Sequence, residues 1–264
     1  MFRDKKVVVV MPAYNAARTL KRTYDEVMDQ GVVDLVIVVD DASKDETTAV
    51  ARTLPNTIVH VHPVNSGYGA NQKTCYRLAL EARADIVIMV HPDYQYTPRL
   101  IPAMVAMIGS GLYSCVLASR VLGRHAMKGG MPIWKYFFNR CLTQAENVIL
   151  GTKLSEYHTG YRAYSRQLLE GLQFDVCSDD FVFDNQVLAQ ILWQGEIISE
   201  VSCPTRYEKE SSSINFRRSV TYGLGCLKTA LAYRMARWGL WKSPLFPQNV
   251  ARSSRIQEPA EAVK

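Results

Sequence analysis

Five runs rich in valine and isoleucine recur through the first 120 residues: KVVVVMP from Lys6, DLVIVVD from Asp34, TIVHVHP from Thr57, DIVIMVHP from Asp85 and YSCVLASR from Tyr113. Each is of strand length, and continuous rather than alternating apolar character means burial on both faces. The intervening segments 16–30, 47–54, 70–82 and 98–108 carry helix-compatible patterns. Strand alternating with helix is the mark of βαβ units, so the fold class is α/β, a mostly parallel central sheet flanked by helices. Ligands of such sheets sit at the carboxyl ends of the strands, which singles out the polar residues just after each run.

Beyond this alternation, GRHAMKGGMP (123–132) reads as a loop, 133–150 as a helix, HTGYRAYSRQLLEGL (158–172) as a turn into a helix, 180–193 as a helix and EIISEVSCPTRY (196–207) as a returning strand. The stretch 216–245 is helical in pattern, with Leu224, Leu227, Leu231, Trp238, Leu240 and Trp241 interrupted by Lys228, Arg234 and Arg237. That is an amphipathic helix suited to a membrane surface, not one that spans. The expected organisation is a catalytic domain over 1–215, an amphipathic helical extension over 216–247 and a polar, disordered tail over 248–264.

Lys and Arg total 31 against 25 Asp and Glu, a net charge of +6. The excess suits an anionic substrate or membrane surface, and its spread along the chain argues against nucleic acid as a partner. Six cysteines stand far apart with no CxxC pair, which disfavours zinc and fits free thiols in a reducing cytoplasm. The basic start MFRDKK leads into an apolar run too short for a signal sequence.

Read in order, the strand ends are PAYN (12–15), DDASKDET (40–47), NSGYGANQ (65–72), HPDYQY (91–96) and SR (119–120). Neither GxGxxG after the first strand nor GxxxxGK[ST] occurs, against a dinucleotide dehydrogenase or a P-loop enzyme. Tyr14 can flank a planar base, and Asp40 and Asp41 can accept hydrogen bonds from a base or ribose. Gly67 and Gly69 stand before a helix, where backbone amides can meet an anion or simply make a tight turn. His91, Asp93 and Gln95 alternate and so share one face of an extended chain.

In this order and spacing the motifs resemble the family 2 glycosyltransferases of the GT-A fold, and within them the dolichol-phosphate mannose synthase-like branch that glycosylates polyprenyl phosphates. The resemblance spans roughly residues 5–225. It implies an inverting, metal-dependent hexosyltransferase that takes a sugar from a UDP- or GDP-sugar donor, with Mg²⁺ or Mn²⁺ as cofactor. The implied acceptor is a polyprenyl phosphate, met by a cytoplasmic protein lying peripherally on the inner face of the membrane. A soluble hydroxyl acceptor in glycan or natural-product assembly is the alternative, and a nucleotide-sugar-binding or nucleotidyl-transferring protein is another.

The resemblance also assigns roles. Pro12, Ala13, Tyr14, Asn15, Asp40 and Asp41 are implied donor contacts, with Gly69, Asn71 and Lys73 close to the nucleotide. His91, Asp93 and Gln95 occupy the three places of a DxDxQ metal motif, and His91 is the departure, replacing a carboxylate by a nitrogen donor or a diphosphate contact. Arg120 would pair with phosphate, as would Arg124 in the following loop. TGYR supplies Arg162 at a turn made possible by Gly160, and the basic segment 206–219 adds Arg206 and Lys209 toward the acceptor. Asp180 or Asp179 is the candidate general base for a hydroxyl acceptor, whereas an ionised phosphate acceptor needs none. In the branch an acidic residue further along the helix after CSDD serves the metal; Gln186 takes that place here, with the aspartates of CSDDFVFD as its substitutes.

Overall fold

The computed structural model describes residues 2–123, 129–205 and 216–247, leaving out the side chains of 216 and 217. Arg124, Arg206, Lys209 and the tail 248–264 lie outside the described residues. The elements follow as β1 (Val7–Ala13), α1 (Ala17–Met28), β2 (Leu35–Asp40), α2 (Thr47–Arg52), β3 (Thr57–Val61), α3 (Tyr68–Glu81), β4 (Ile86–Met89), α4 (Ile101–Gly109), β5 (Cys115–Ser119), α5 (Ile133–Leu150), β6 (Arg162–Ser165), α6 (Arg166–Gly171), α7 (Phe183–Trp193), β7 (Ile198–Ser202) and α8 (Phe216–Arg237).

All seven strands join one sheet in the order β3-β2-β1-β4-β6-β5-β7. The first four pair in parallel, β5 pairs in parallel with β7, and β6 runs antiparallel between β4 and β5. This is the GT-A, Rossmann-like arrangement. Alternate residues of β1 feed two separate cores: Val8 and Val10 pack under α3 and α7, while Val7, Val9 and Met11 pack under α1 and α4. Burial on both faces is why these strands read as unbroken apolar runs.

β6 corrects the sequence reading of 158–172 as a turn leading straight into a helix. Four residues led by an arginine carry too little periodicity to announce a strand. The sheet interior accepts Arg162 because its guanidinium donates to the backbone carbonyls of Tyr157, Thr159 and Asp184. The helix expected over 216–245 stops at Arg237, and Gly239 takes up a left-handed φ of 74°. α8 is packed rather than loose: Cys226, Ala230, Tyr233 and Ala236 are buried. A Cβ on Gly225 would stand 2.5 Å from Val182, so the glycine sets how closely α8 approaches the start of α7. All six cysteines are free, and burial pushes the thiols of Cys115, Cys177 and Cys203 up to about 12.

Three non-glycine residues with left-handed φ, Asn15 (51°), Ala42 (57°) and Tyr94 (57°), stand just past β1, β2 and β4. Such backbone costs on the order of 1–3 kcal/mol per residue and persists where packing over-determines it, typically at functional sites. Arg3, Asp4, Asn56 and Arg83 also take left-handed φ, ahead of β1, β3 and β4, so strained backbone occurs at both edges of the sheet.

Candidate active site

A cleft of about 750 Å³ opens at the carboxyl edge of the sheet. Pro12, Ala13, Tyr14, Asn15, Asp41 and Asn71 line it, as do Asp93 and Asp180. Tyr14 is half exposed, its ring available to a planar ligand. Asn15 is held by Ser43 Oγ, which accepts from its amide at 2.8 Å, and by Lys44, whose amide donates to Asn15 Oδ1 at 2.9 Å. Asp41 is the organiser. Its carboxylate accepts from the amides of Ser66 (2.8 Å) and Gly67 (3.0 Å) and stands 2.8 Å from His62 Nδ1. The anion met by the glycine-rich turn is thus the protein's own carboxylate.

Three expected donor residues do not reach this cleft. Asp40 is fully buried, and its carboxylate accepts from Ser43 and Thr48 to brace the turn after β2. Lys73 Nζ donates to Cys177 O at 2.6 Å and pairs with Asp179 at 2.7 Å. Gly69 donates to Asp179 O at 2.8 Å, and a Cβ there would lie 2.4 Å from Ser178 O. Lys73 and Gly69 therefore clamp the CSDD loop onto α3. That clamp separates the two aspartates: Asp179 faces Lys73, while Asp180 lines the cleft.

The cleft meets a second pocket of about 230 Å³, and Tyr68, His91, Asp93 and Phe181 line both. The second pocket adds Gln95, Arg120, Lys135, His158 and Asp184, with Trp134, Phe138, Leu142 and Tyr222 as an apolar wall. Sequence reasoning did not foresee Tyr68, Phe181 or the α5 wall; Tyr68 sits inside NSGYGANQ and Phe181 inside CSDDFVFD, so proximity to motif residues was the available signal. His91 is held with Nε2 3.1 Å from Tyr68 Oη, and burial pushes its pKa down against the pull of Asp93 and Asp184, leaving it neutral near pH 7. Burial, aided by Asp184, pushes the Tyr68 phenol well up, so it remains a donor. Gly160 has no left-handed φ; a Cβ on it would stand 2.5 Å from His91 Nε2, so its role is to make room for that ring.

Of two expected phosphate-binding arginines, one is out of reach and the other lines the second pocket while bound to the protein itself. Arg162 is fully buried and serves β6 and α7, out of reach of a phosphate. Arg120 lines the second pocket rather than the donor cleft. Its Nε donates to Glu156 Oε1 at 2.8 Å, and Nη2 donates to His158 O at 2.8 Å. Burial opposes the charge of Glu156, but the Arg120 guanidinium and its hydrogen bonds outweigh that and hold the carboxyl below its ordinary value.

Among the described residues no group of three or more His, Cys, Asp or Glu is assembled to hold a metal ion. Asp93 and Gln95 nevertheless offer two hard oxygens on one wall, with the amide of Gln95 donating to Asp93 Oδ1 at 3.1 Å to fix the turn. Mg²⁺ and Mn²⁺ are commonly held by one or two carboxylates together with substrate phosphates, and these residues fit such an ion.

A UDP-N-acetylglucosamine–dolichyl-phosphate N-acetylglucosaminyltransferase of Methanococcus voltae is 25% identical, over 68% of this chain and 80% of its own. A dolichyl-phosphate hexose transferase of Haloferax volcanii is 23% identical, over 87% of this chain and 96% of its own. The solved structure of glucosyl-3-phosphoglycerate synthase from Mycobacterium tuberculosis, in complex with Mn²⁺, uridine diphosphate and glucosyl-3-phosphoglycerate, superposes with a TM-score of 0.65 at 20% identity, over 91% of this chain and 82% of its own. That likeness is one of fold. The family model Glycosyl transferase family 2 matches residues 8–172. The match runs through every strand that builds the donor cleft and on past TGYR, and the chain belongs to glycosyl transferase family 2.

Proposed function

We propose that the protein is an inverting hexosyltransferase that moves a sugar from a UDP- or GDP-sugar to a polyprenyl phosphate at a membrane surface. The observation that carries this reading is the meeting of two unlike pockets at Tyr68, His91, Asp93 and Phe181. The larger is walled by the PAYN and DDAS turns and carries Asp41, Arg18 and Arg218, which suits a nucleoside diphosphate whose sugar points to the junction. The smaller sets Arg120 and Lys135 against Trp134, Phe138 and Tyr222, which suits a phosphate attached to an apolar chain. The names of the relatives from Methanococcus voltae and Haloferax volcanii support that acceptor class.

In this reading Asp41 orients the base and Tyr14 flanks it, while Arg18 and Arg218 on the cleft wall face the diphosphate. A divalent cation bound at Asp93 would offset charge growing on the leaving diphosphate. The acceptor phosphate enters from the second pocket, on the side opposite the leaving group, so attack inverts the anomeric carbon. Its oxygen is already ionised, so the chain's task is positioning, not proton removal. A hydroxyl acceptor is the second reading, favoured by one observation: Asp180 presents a carboxylate to the donor cleft.

The test is incubation with Mn²⁺, a panel of UDP- and GDP-sugars and a short-chain polyprenyl phosphate or a hydroxyl acceptor. Lipid-linked sugar and free nucleoside diphosphate are the expected products; release of pyrophosphate overturns the reading. Asp41→Asn is expected to weaken nucleoside diphosphate binding about tenfold, or ~1.4 kcal/mol, in isothermal titration, because the substituted amide cannot accept from Ser66, Gly67 and His62 as the carboxylate does.

Membrane contact belongs to the same proposal. No helix among the described residues is long and apolar enough to cross a membrane. α5 and α8 pack side by side and leave Ile133, Phe137, Leu224, Leu231, Trp238, Leu240 and Trp241 exposed among basic residues. Such a surface docks on anionic lipid through apolar insertion and charge together. The protein is expected to float with vesicles containing anionic lipid, and Trp238→Ser with Trp241→Ser to remain at the bottom of the gradient with unchanged nucleotide affinity.

A further inference from the structure

A chain of three polar side chains runs from the core to the second pocket. Glu146 on α5 is fully buried, and Asn185 on α7 donates to its Oε1. Its Oε2 stands 3.2 Å from His158 Nε2, and neither of these buried atoms completes a hydrogen bond among the described residues. On the other side of the ring, His158 Nδ1 lies 2.9 Å from Tyr222 Oη on α8. His158 and Tyr222 line the second pocket with Arg120 and Lys135, and Glu146 lies behind them. Burial pushes the Tyr222 phenol well up, so it keeps its proton.

An ionised carboxylate only accepts, a neutral imidazole has one donor and one acceptor, and an imidazolium has two donors. With one proton on the ring, Nε2 donates to Glu146 and Nδ1 accepts from the Tyr222 hydroxyl. With two, both nitrogens donate, and the phenol proton is released to another partner. The carboxylate of Glu146 favours the second state, because a charge held out of water needs a cation beside it. Other charged or titratable neighbours are Arg120, which donates to the His158 carbonyl, Glu156, Asp184 and Cys226. Arg120 is committed to Glu156, and a thiol is a weak acceptor beside a phosphate oxygen.

We propose that Glu146 and His158 are positioning residues for the acceptor: as its phosphate enters the second pocket, His158 takes up a proton and Tyr222 turns its hydroxyl onto a phosphate oxygen. This rests on the polyprenyl phosphate reading above. The proton comes from solvent and no covalent bond to phosphorus changes. The phosphate gains a donor, and the Glu146–His158 pair behind it goes from a net negative charge to none. A neutral hydroxyl acceptor brings no charge to draw that proton in, so the chain selects for an anionic headgroup.

The test is isothermal titration of the full chain with farnesyl phosphate near pH 8, where a phosphate monoester, with a second pKa of about 6, has already lost both protons. Repeating it in Tris and in HEPES, whose ionisation enthalpies differ, counts the protons taken up. The wild type is expected to take up roughly one proton per phosphate bound. Glu146→Gln keeps an acceptor for Asn185 but no charge for His158. It is expected to bind without proton uptake and about tenfold more weakly, the worth of one hydrogen bond to a charged group, with UDP affinity unchanged. Tyr222→Phe keeps the ring that packs on His158 and is expected to show the same two losses. Joining the two substitutions adds little, since both act on one hydrogen bond. Wild-type binding without proton uptake overturns the proposal, and so does undiminished uptake in either variant. Should Glu146→Gln not fold, Tyr222→Phe alone decides. A wild type that binds no farnesyl phosphate refutes the acceptor reading itself, a different outcome from binding without proton uptake.

Discussion

Asp93→Asn lowers sugar transfer by about 10²–10³-fold, a loss of ~3–4 kcal/mol of transition-state stabilisation, while the protein keeps its melting temperature. Asparagine retains an oxygen that can accept from the Gln95 amide, so the turn after β4 survives. What disappears is the negative charge at the junction of the two pockets, where the leaving diphosphate must be held. Steady-state kinetics with saturating donor and Mn²⁺, set beside a thermal melt, separates the two effects. A variant with wild-type turnover would remove Asp93 from the chemistry.

Arg120→Ala is the most damaging expected change to stability. Glu156 is fully buried, and its carboxylate accepts from Arg120 Nε and from the Arg120 amide. Removing the guanidinium strands a buried charge, at a cost of about 3–5 kcal/mol, measurable by urea unfolding near pH 7. The pH dependence follows from the depressed native pKa of Glu156. The folded state favours its ionised form, so the stabilisation is complete above the ordinary carboxyl value of 4.5 and is lost as pH falls through the lower native value. In Arg120→Ala the native carboxyl prefers its proton, so the gap between variant and wild type narrows in acid. Glu156→Gln added to Arg120→Ala is expected to recover part of the loss at neutral pH, and a gap that is the same at pH 7 and pH 4 contradicts the ion-pair account.

The same pair shows why sequence and structure assign some residues differently. SR after β5 marks an arginine at the sheet's carboxyl edge, and Arg120 is there. Its engagement with Glu156 is a contact between positions 36 apart, which no local pattern announces. Lys73 and Gly69 lie in a segment whose composition suits phosphate binding, yet they hold a loop more than 100 residues away. Arg162 looks like a cation for a substrate until β6 places it inside the sheet, where three carbonyls satisfy it. In each case the residue type is right for binding an anion, and the protein itself supplies the partner.

Local physics marked the βαβ alternation and the carboxyl edge of the sheet, because apolar run length and strand exits are properties of neighbouring residues; it offered Asp40 and Asp41 alike, and of the two Asp41 lines the cleft. Tertiary structure decided the rest: the antiparallel insertion of β6, the choice of Asp180 over Asp179 at the cleft, the use of Gly160 as space for His91, and the meeting of Tyr68 with Asp184 across 116 positions. Those outcomes depend on which distant groups satisfy one another once water is excluded, and only the packed chain determines that.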